Sequence, residues 1–119
     1  MFQGTMTRKA DAAHPLQHLL VKFGTDEDHI AIAGATDLPI GTCIDIPQAG
    51  NSVGVALLGS ASETRTMVAS AAIAAGAPVF AAADGKIAAT GTVRVGTAMQ
   101  SAAADGDEIQ VDPCIAFTI

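Results

Sequence analysis

Short segments in which apolar residues alternate with polar or small ones follow one another along most of the chain after residue 28. An alternation with a period of two is typical of a β-strand with one buried face. The alternating apolar positions are Ile30 and Ile32, Ile44 and Ile46, Val53 and Val55, Val93 and Val95, Ile109 and Val111, and Ile115, Phe117 and Ile119. Many short strands at close spacing predict an all-β fold, either a small β-barrel or a sandwich.

Turn-forming residues separate these segments. The Asp84-Gly85 and Asp105-Gly106 pairs are typical of the central positions of a hairpin turn, where the backbone favours Asp and Gly. Residues 69–83 are rich in alanine, but a glycine and a proline within them oppose a helix. We therefore expect strands and hairpins from residue 29 to residue 119.

The alternating region contains an internal repeat. Residues 38–44 match residues 73–79 at a shift of 35, and residues 53–57 match residues 95–99 at a shift of 42. Two similar β units are too few for a solenoid, so closure into one barrel with a shared core is the simpler arrangement. The residues that we expect to face this core are Ile44, Val55, Val95, Ile109 and Val111.

Residues 1–28 differ from the rest of the chain because the alternation is absent. Four of their apolar residues have the i, i+3, i+4 and i+7 spacing of one helix face, and they are Leu16, Leu19, Leu20 and Phe23. The segment from Asp11 to Gly24 therefore has room for one short helix, with an extended stretch from Leu19 to Phe23 as the alternative. We expect residues 1–28 to form an N-terminal arm and residues 29–119 to form the barrel domain.

Composition limits the size of the core. Half of the 119 residues are hydrophobic, but there is no Trp, no Tyr and only 4 Phe, so much of this fraction is alanine. A single small domain with few bulky side chains has little apolar surface to bury. We therefore expect the chain to gain stability as an oligomer or on a partner surface.

Charge narrows the range of partners. The chain carries 12 acidic and 6 basic residues, a net charge of −6, which is the wrong sign for binding a phosphate backbone. Residues 1–25 carry three basic residues and one acidic residue, whereas the remaining 94 residues carry three basic and eleven acidic ones. No apolar stretch approaches the roughly 20 residues that a membrane helix needs. Neither nucleic acid nor a membrane is an expected partner.

Five segments of the chain are informative when they are taken in order, and they are GVALLG (54–59), VASAAIAAGAPVF (68–80), DGKI (84–87), VGTAM (95–99) and AADGDEIQV (103–111). Together they resemble the head-decoration, or capsid cement, proteins of tailed bacteriophages. The likeness covers residues 36–114 and leaves residues 1–28 outside it. It implies a compact β-barrel-like protein without an active site or cofactor, made in the host bacterial cytoplasm. Such a protein binds the major capsid protein on the outer surface of the virion and stabilises the shell by bridging capsomers, commonly as a homotrimer.

The arm combines apolar anchors with the positive charge that the rest of the chain lacks. We expect it to contact the capsid or a neighbouring subunit, and terminal segments of this kind often become ordered only on binding. The candidate contact residues are Phe2, Met6, Arg8, Lys9, Leu16, Leu19, Leu20, Lys22 and Phe23.

Other candidate chemistry is weak. His14 and His18 have the i, i+4 spacing of two metal ligands on a helix, with His29 as a third, but the ligand set is too thin to predict a metal site. Cys43 and Cys114 form no disulfide framework, and a buried thiol in a reducing cytosol is the simpler interpretation. No arrangement of Ser, Cys, His or acidic residues predicts a catalytic site.

Lys86 supports the main alternative function. It follows the Asp84-Gly85 pair, and lipoyl and biotinyl carrier domains are also small acidic β structures of two similar halves that display a modified lysine at a hairpin. However, Lys86 lies after the turn and not at its apex, which favours an ordinary hairpin lysine. An unrelated oligomeric β module is the third possibility.

Overall fold

The structure, a computed structural model, describes residues 5–58 and 64–119. The described residues form ten β-strands and a three-residue 3₁₀ turn, Ala83–Gly85, with no α-helix. The first five strands are β1 (Thr5–Ala10), β2 (Leu20–Phe23), β3 (His29–Ile32), β4 (Gly41–Cys43) and β5 (Ser52–Leu57). The other five are β6 (Arg65–Val68), β7 (Pro78–Ala81), β8 (Ile87–Ala88), β9 (Val93–Ala98) and β10 (Glu108–Thr118). The all-β prediction is confirmed.

The first five strands close into a barrel in the order β1-β3-β2-β4-β5. β1 runs parallel to β3 and antiparallel to β5, and every other pair in this barrel is antiparallel. β1 closes the barrel, since it contributes hydrogen bonds to strands on both of its sides. Without β1 both β3 and β5 would have an unpaired edge.

The last five strands form a second sheet in the order β6-β10-β9-β7-β8, in which all neighbours are antiparallel. A parallel bridge between Ala69 and Ile87 brings the end of β6 beside β8. The Ser70 amide strengthens this link by donating a 2.8 Å hydrogen bond to the Ile87 carbonyl. The second sheet is therefore a half-barrel that is drawn together at one end.

The internal repeat corresponds to a repeated strand pairing. In the first barrel Cys43 of β4 lies opposite Val55 of β5. In the second sheet Pro78 of β7 lies opposite Thr97 of β9. Because Pro78 follows Cys43 by 35 positions and Thr97 follows Val55 by 42, the sequence shifts relate one hairpin pairing to the other. The prediction of two similar β units is confirmed.

Two cores, rather than one shared core, hold these units. The first core is formed by Ala10, Leu19, Val21, Ile30, Cys43, Val53, Val55 and Val68. The second core is larger and contains Leu20, Ala33 and Leu58 together with apolar residues of the second sheet. Each core thus includes residues from the other sheet, so the two units interlock through packing.

The turn between β7 and β8 is a further link between the units. Asp84 and Gly85 both have positive φ values, 61° and 75°, which confirms the hairpin prediction for this pair. The Gly85 amide donates a 2.8 Å hydrogen bond to the carbonyl of Ala33 in the first unit. A Cβ atom at Gly85 would lie 2.9 Å from Leu19 Cβ and from Ile32 Cγ2, so only glycine fits this approach.

The prediction of a separate N-terminal arm is wrong for residues 5–28. β1 pairs with β3 and β5, and β2 pairs with β3 and β4, so both strands are integral to the first barrel. The short helix is also absent from this segment, and the extended alternative holds for Leu20–Phe23. A boundary between residues 28 and 29 would separate two hydrogen-bonded strands, because Phe23 of β2 lies opposite Ile30 of β3.

The side-chain directions are correct for most of the expected core residues. Val55, Val95, Ile109 and Val111 are buried, but Ile44 is 41% exposed. The apolar residues at the end of β10 also point outward, in contrast to the expectation that their face is buried, and they are Ile115, Phe117 and Ile119. The pairing register of β10 with β9 shifts between Pro113 and Phe117, and Ala116 packs against the second core. Such a shift reverses which residues of a strand face inward.

Candidate interaction surfaces

A shallow depression lies where β1 runs between β3 and β5, and we call it the β1 depression. Its volume is about 280 Å³, and its lining residues are Thr7, Arg8, Lys9, Asp28, His29 and Ser52. Backbone hydrogen bonds hold it in shape, because the Lys9 amide donates to the Asp28 carbonyl at 2.9 Å. The side chain of Arg8 is held as well, since its Nε donates to the Glu27 carbonyl at 2.9 Å.

Charges of both signs meet at the β1 depression. The acidic residues 26–28 lie beside Arg8 and Lys9, so the positive charge of the first 25 residues is not isolated from the acidic remainder of the chain. His29 Nδ1 lies 2.6 Å from Asp26 Oδ1. This hydrogen bond raises the pKa of His29 and lowers the pKa of Asp26. The surface therefore suits a partner of mixed charge better than a uniformly acidic one.

The predicted contact residues divide into exposed and buried groups. Lys9, Leu16 and Phe23 are exposed, and Arg8 and Lys22 are half-buried. Met6 packs partly buried against the first core. Leu19 and Leu20 are 1% and 0% exposed, which leaves them no surface with which to contact another molecule. Phe2 lies outside the described residues.

An apolar groove lies on another part of the surface, where the segment before β4 and the end of β5 meet the last residues of β10. We call it the β10 groove. It has a volume of about 320 Å³, and its lining residues are Leu38, Pro39, Ile40, Leu57, Leu58, Ile115 and Ala116. None of these carries a charge. Leu38 and Ile115, at 54% and 73% exposure, leave large apolar side chains open to solvent.

The sequence pattern did not indicate the β10 groove. Ile115, Phe117 and Ile119 alternate in the way that is typical of a half-buried strand, and the sequence predicts that they face a core. A sequence signal was nevertheless present, because Pro113 interrupts the strand two positions before Ile115. Proline within a strand commonly marks a bulge or an edge, where the register changes.

Lys86 is held in a structural contact. Its Nζ lies 2.8 Å from Asp105 Oδ1, so the pair joins the β7–β8 turn to the turn before β10. The neighbouring Gly85 is buried against the first barrel. A carrier lysine has to project freely from its hairpin, and the contacts of this turn oppose that arrangement. The structure therefore disfavours the carrier interpretation.

The three histidines lie in different environments. His14 is 3% exposed, and neither of its ring nitrogens has a hydrogen-bond partner. Burial lowers the pKa of His14. His18 has a left-handed backbone with φ of 65°, and His29 pairs with Asp26. Within residues 5–58 and 64–119, no group of three or more His, Cys, Asp or Glu side chains is placed to hold a metal ion.

The cysteines are separate thiols. Cys43 is buried in the first core, where its Sγ lies 3.6 Å from the Leu16 carbonyl, and Cys114 is half-buried on β10. Burial raises the pKa of both thiols, which lowers their reactivity at neutral pH. In the described part of the chain, no helix has the length and apolar character needed to cross a membrane.

The two interlocked β units, with their repeated hairpin pairing, define a small protein made of one closed barrel and one half-barrel sheet. The family model of phage cement proteins matches residues 5–113, and the chain belongs to this family. This confirms the resemblance seen in the sequence and extends it to residues 5–35, which contain β1, β2 and β3. The family is one of structural phage proteins.

A solved structure supports the fold assignment. The chain is similar to the N base of head fiber gp8.5 of bacteriophage phi29, with a TM-score of 0.74 and 17% sequence identity over 90% of each chain. At this identity the likeness concerns the fold. No curated protein sequence matches the chain.

Proposed function

We propose that the chain is a non-enzymatic virion protein that binds the major capsid protein on the outer surface of a phage head. It stabilises the shell by bridging neighbouring capsomers as a homotrimer, after synthesis in the cytoplasm of the host bacterium. The family match over residues 5–113 is the observation that carries this proposal. The likeness to the base of a phage head fiber agrees with it.

The β1 depression is the proposed capsid-binding surface, together with the exposed members of the predicted contact set. Lys9 is exposed there, and the fixed backbone of three neighbouring strands holds it in place. Leu16 and Phe23 provide exposed apolar side chains elsewhere on the first barrel. A rigid surface loses little conformational entropy on binding, so more of its contact energy appears as affinity.

Because a trimer carries three copies of the capsid-binding surface, each single contact with the capsid can be weak. A trimer presents three copies of the same surface to one shell, so the second and third contacts form within a complex that already exists. The overall affinity then exceeds that of one contact without any stronger interaction. This is how a small acidic chain with a mixed-charge contact surface holds capsomers together.

The test uses capsids of the phage whose genome encodes the chain, prepared without it. The full-length chain is added, and bound protein is measured by cosedimentation as copies per copy of the major capsid protein. We expect saturable binding and a higher melting temperature of the decorated shell. Failure of the folded chain to bind at any concentration would contradict the proposal.

Two substitutions with the same charge change test the surface. Lys9→Gln removes one positive charge from the β1 depression, and Thr90→Glu adds one negative charge at an exposed site away from it. We expect Lys9→Gln to weaken capsid binding by roughly three- to tenfold, an effect that high salt diminishes, and Thr90→Glu to leave it unchanged. If both variants weakened capsid binding equally, the effect would come from the net charge of the chain, and the β1 depression would be rejected as the capsid-binding surface.

A further inference from the structure

We propose that residues 11–18, which lie between β1 and β2, form an acid-sensitive strap on the first barrel, and that protonation of His14 releases it. These residues form neither a strand nor a helix, and we call them the strap. His14 is the single buried residue of the strap, at 3% exposure, whereas the others are exposed or half-buried. Its side chain is therefore the anchor that holds the strap against the barrel.

Few contacts join the strap to the barrel. In its middle the His14 amide donates a 3.0 Å hydrogen bond to the Pro47 carbonyl, and at its end the His18 amide donates a 2.7 Å bond to the Cys43 carbonyl. The Sγ atom of Cys43 lies 3.6 Å from the Leu16 carbonyl. Segments with few buried contacts open locally, at a lower free energy than the whole fold. The strap can therefore open while the five strands of the barrel remain paired.

An imidazole is an unusual anchor for such a segment. Neither ring nitrogen of His14 has a hydrogen-bond partner among the described residues, whereas buried polar atoms almost always have one. The neutral ring can be buried here, but a protonated ring would be a buried charge without a partner. Burial accordingly lowers the pKa of His14. When the strap opens, water solvates both nitrogens, and the ring can accept a proton at its ordinary pKa.

The charged groups around the strap do not neutralise a proton on His14. The carboxylate of Asp11 accepts a 2.9 Å hydrogen bond from the Thr25 amide, and that of Asp45 accepts a 3.1 Å bond from the Gly54 amide. Burial is the cause of the lowered pKa of His14, without an opposing contribution from a carboxylate. The ionisable residues of the strap and of the adjoining parts of β1, β3 and the β4–β5 connection are Lys9, Asp11, His18, His29, Cys43 and Asp45.

Acid therefore favours the open strap. In the open state His14 titrates near 6.5, whereas its pKa in the closed state is lower, so the open state gains a proton that the closed state does not. The ratio of open to closed strap should rise by up to about tenfold between about pH 7.5 and about pH 5.5. Opening also uncovers the thiol of Cys43, because the Leu16 carbonyl moves away from it.

The test is amide hydrogen exchange of the full-length chain, followed by NMR at these two pH values with and without a low, non-denaturing concentration of urea. Each rate is divided by the intrinsic rate at the same pH, which gives a protection factor. The reporters are the amides of His14 and His18, and the reference is the Ile44 amide, which donates to the Gly54 carbonyl of β5 at 2.9 Å. We expect protection of the two reporters to fall by up to about tenfold in acid, without dependence on urea. The Ile44 amide should exchange more slowly and depend on urea, since its exposure needs unfolding of the barrel.

Two kinds of variant identify the titrating group. His14→Leu places a side chain that does not titrate at the buried position, so the strap should keep its protection in acid, and His14→Met is the second choice if the first fails to fold. His18→Asn is the matched control, because it removes the other imidazole of the strap. Asn suits this position, where φ is 65°, since it tolerates the left-handed backbone. We expect His18→Asn to keep the pH dependence of the wild-type strap.

Three results would overturn the inference. The first is protection of the strap amides that is the same at both pH values. The second is exchange of the strap amides at the rate and with the urea dependence of the Ile44 amide, because the strap would then open only when the barrel unfolds. The third is a loss of protection in acid that persists when His14 is replaced by Leu or Met.

Discussion

Leu19 and Leu20 are adjacent in the chain, yet their side chains lie in different hydrophobic cores. Leu19 packs in the first core and Leu20 in the second, and both are almost completely buried. Successive side chains of an extended segment point in opposite directions, so one short stretch of backbone serves both units. Val21 then returns to the first core. This segment therefore couples the stability of the two units.

Shortening Leu20 should destabilise the whole protein. Leu20→Ala leaves a cavity in the second core although Leu20 belongs to a strand of the first barrel, and we expect a loss of about 2–5 kcal/mol in the free energy of unfolding. Urea titration followed by circular dichroism measures it. Leu16→Ala is the control, because Leu16 is exposed and its truncation should change stability by less than about 0.5 kcal/mol. Similar values for both variants would refute the assignment of Leu20 to the core.

The β7–β8 turn should tolerate no side chain at Gly85. Gly85→Ala adds a Cβ atom that meets Leu19 and Ile32, in a backbone that already has positive φ. Gly50→Ala is the matched control, since Gly50 has φ of +81° but no atom within 4 Å of the added Cβ. We expect the control to lose about 1 kcal/mol from backbone strain and Gly85→Ala to lose at least about 1 kcal/mol more. Equal losses, measured by urea titration, would show that the turn does not pack against the first barrel.

Acid should destabilise the protein through His14. In the unfolded chain this imidazole titrates near its ordinary pKa of 6.5, whereas burial lowers its pKa in the native state. As the pH falls below 6.5, the unfolded state gains a proton that the native state does not, so stability is lost until the pH reaches the native pKa. His14→Leu should reduce the difference in unfolding free energy between about pH 7.5 and about pH 5.5. An unchanged difference would contradict the burial of His14.

His29 affects the pH dependence of stability in the direction opposite to His14. Its hydrogen bond to Asp26 raises the pKa of His29, so the stability that it adds is fully present below pH 6.5 and is lost as the pH rises through the raised pKa. His29→Gln should therefore remove part of the stability found at acidic pH while it leaves the protein at alkaline pH unchanged. Thermal melts of this variant and of the wild-type chain across the same pH range measure whether the stability is lost at acidic pH and not at alkaline pH.

Oligomerisation should appear in the melting temperature. If the chain assembles as the proposed homotrimer, mass action favours the folded assembly, and the melting temperature rises with protein concentration. Calorimetry over a hundredfold range of concentration measures this rise. A melting temperature that is independent of concentration, together with a monomeric mass, would count against the trimer.

The sequence alone determined β3, β5, β9 and β10, the hairpin turn at Asp84-Gly85 and the repeat that relates the two units, whereas the alternation of Ile44 and Ile46 falls just after β4 and forms no strand. It did so because each of these depends on neighbouring residues. The pleat of a strand makes its side chains alternate between two faces, which gives the period of two. Asp and Gly are favoured where a hairpin turn needs positive φ values, and the turn of each repeated hairpin sets the register of its two strands. The pairing of Cys43 with Val55, and its counterpart of Pro78 with Thr97, are the clearest examples. The resemblance of five segments between residues 54 and 111 was sufficient to indicate the cement protein family.

Only the tertiary structure decided the place of residues 5–28 and the outward direction of Ile115. β1 is a strand because β3 and β5, which lie far along the chain, supply its hydrogen bonds, and no local pattern encodes that pairing. Leu19 and Leu20 match the apolar spacing of a helix, although they lie in an extended segment. The segment is buried on both sides because it lies between the two cores, so its apolar residues do not alternate with polar ones as they do in a strand with one buried face. Ile115 faces outward because one shift in register reverses every side chain that follows it, and a shift depends on how two strands meet.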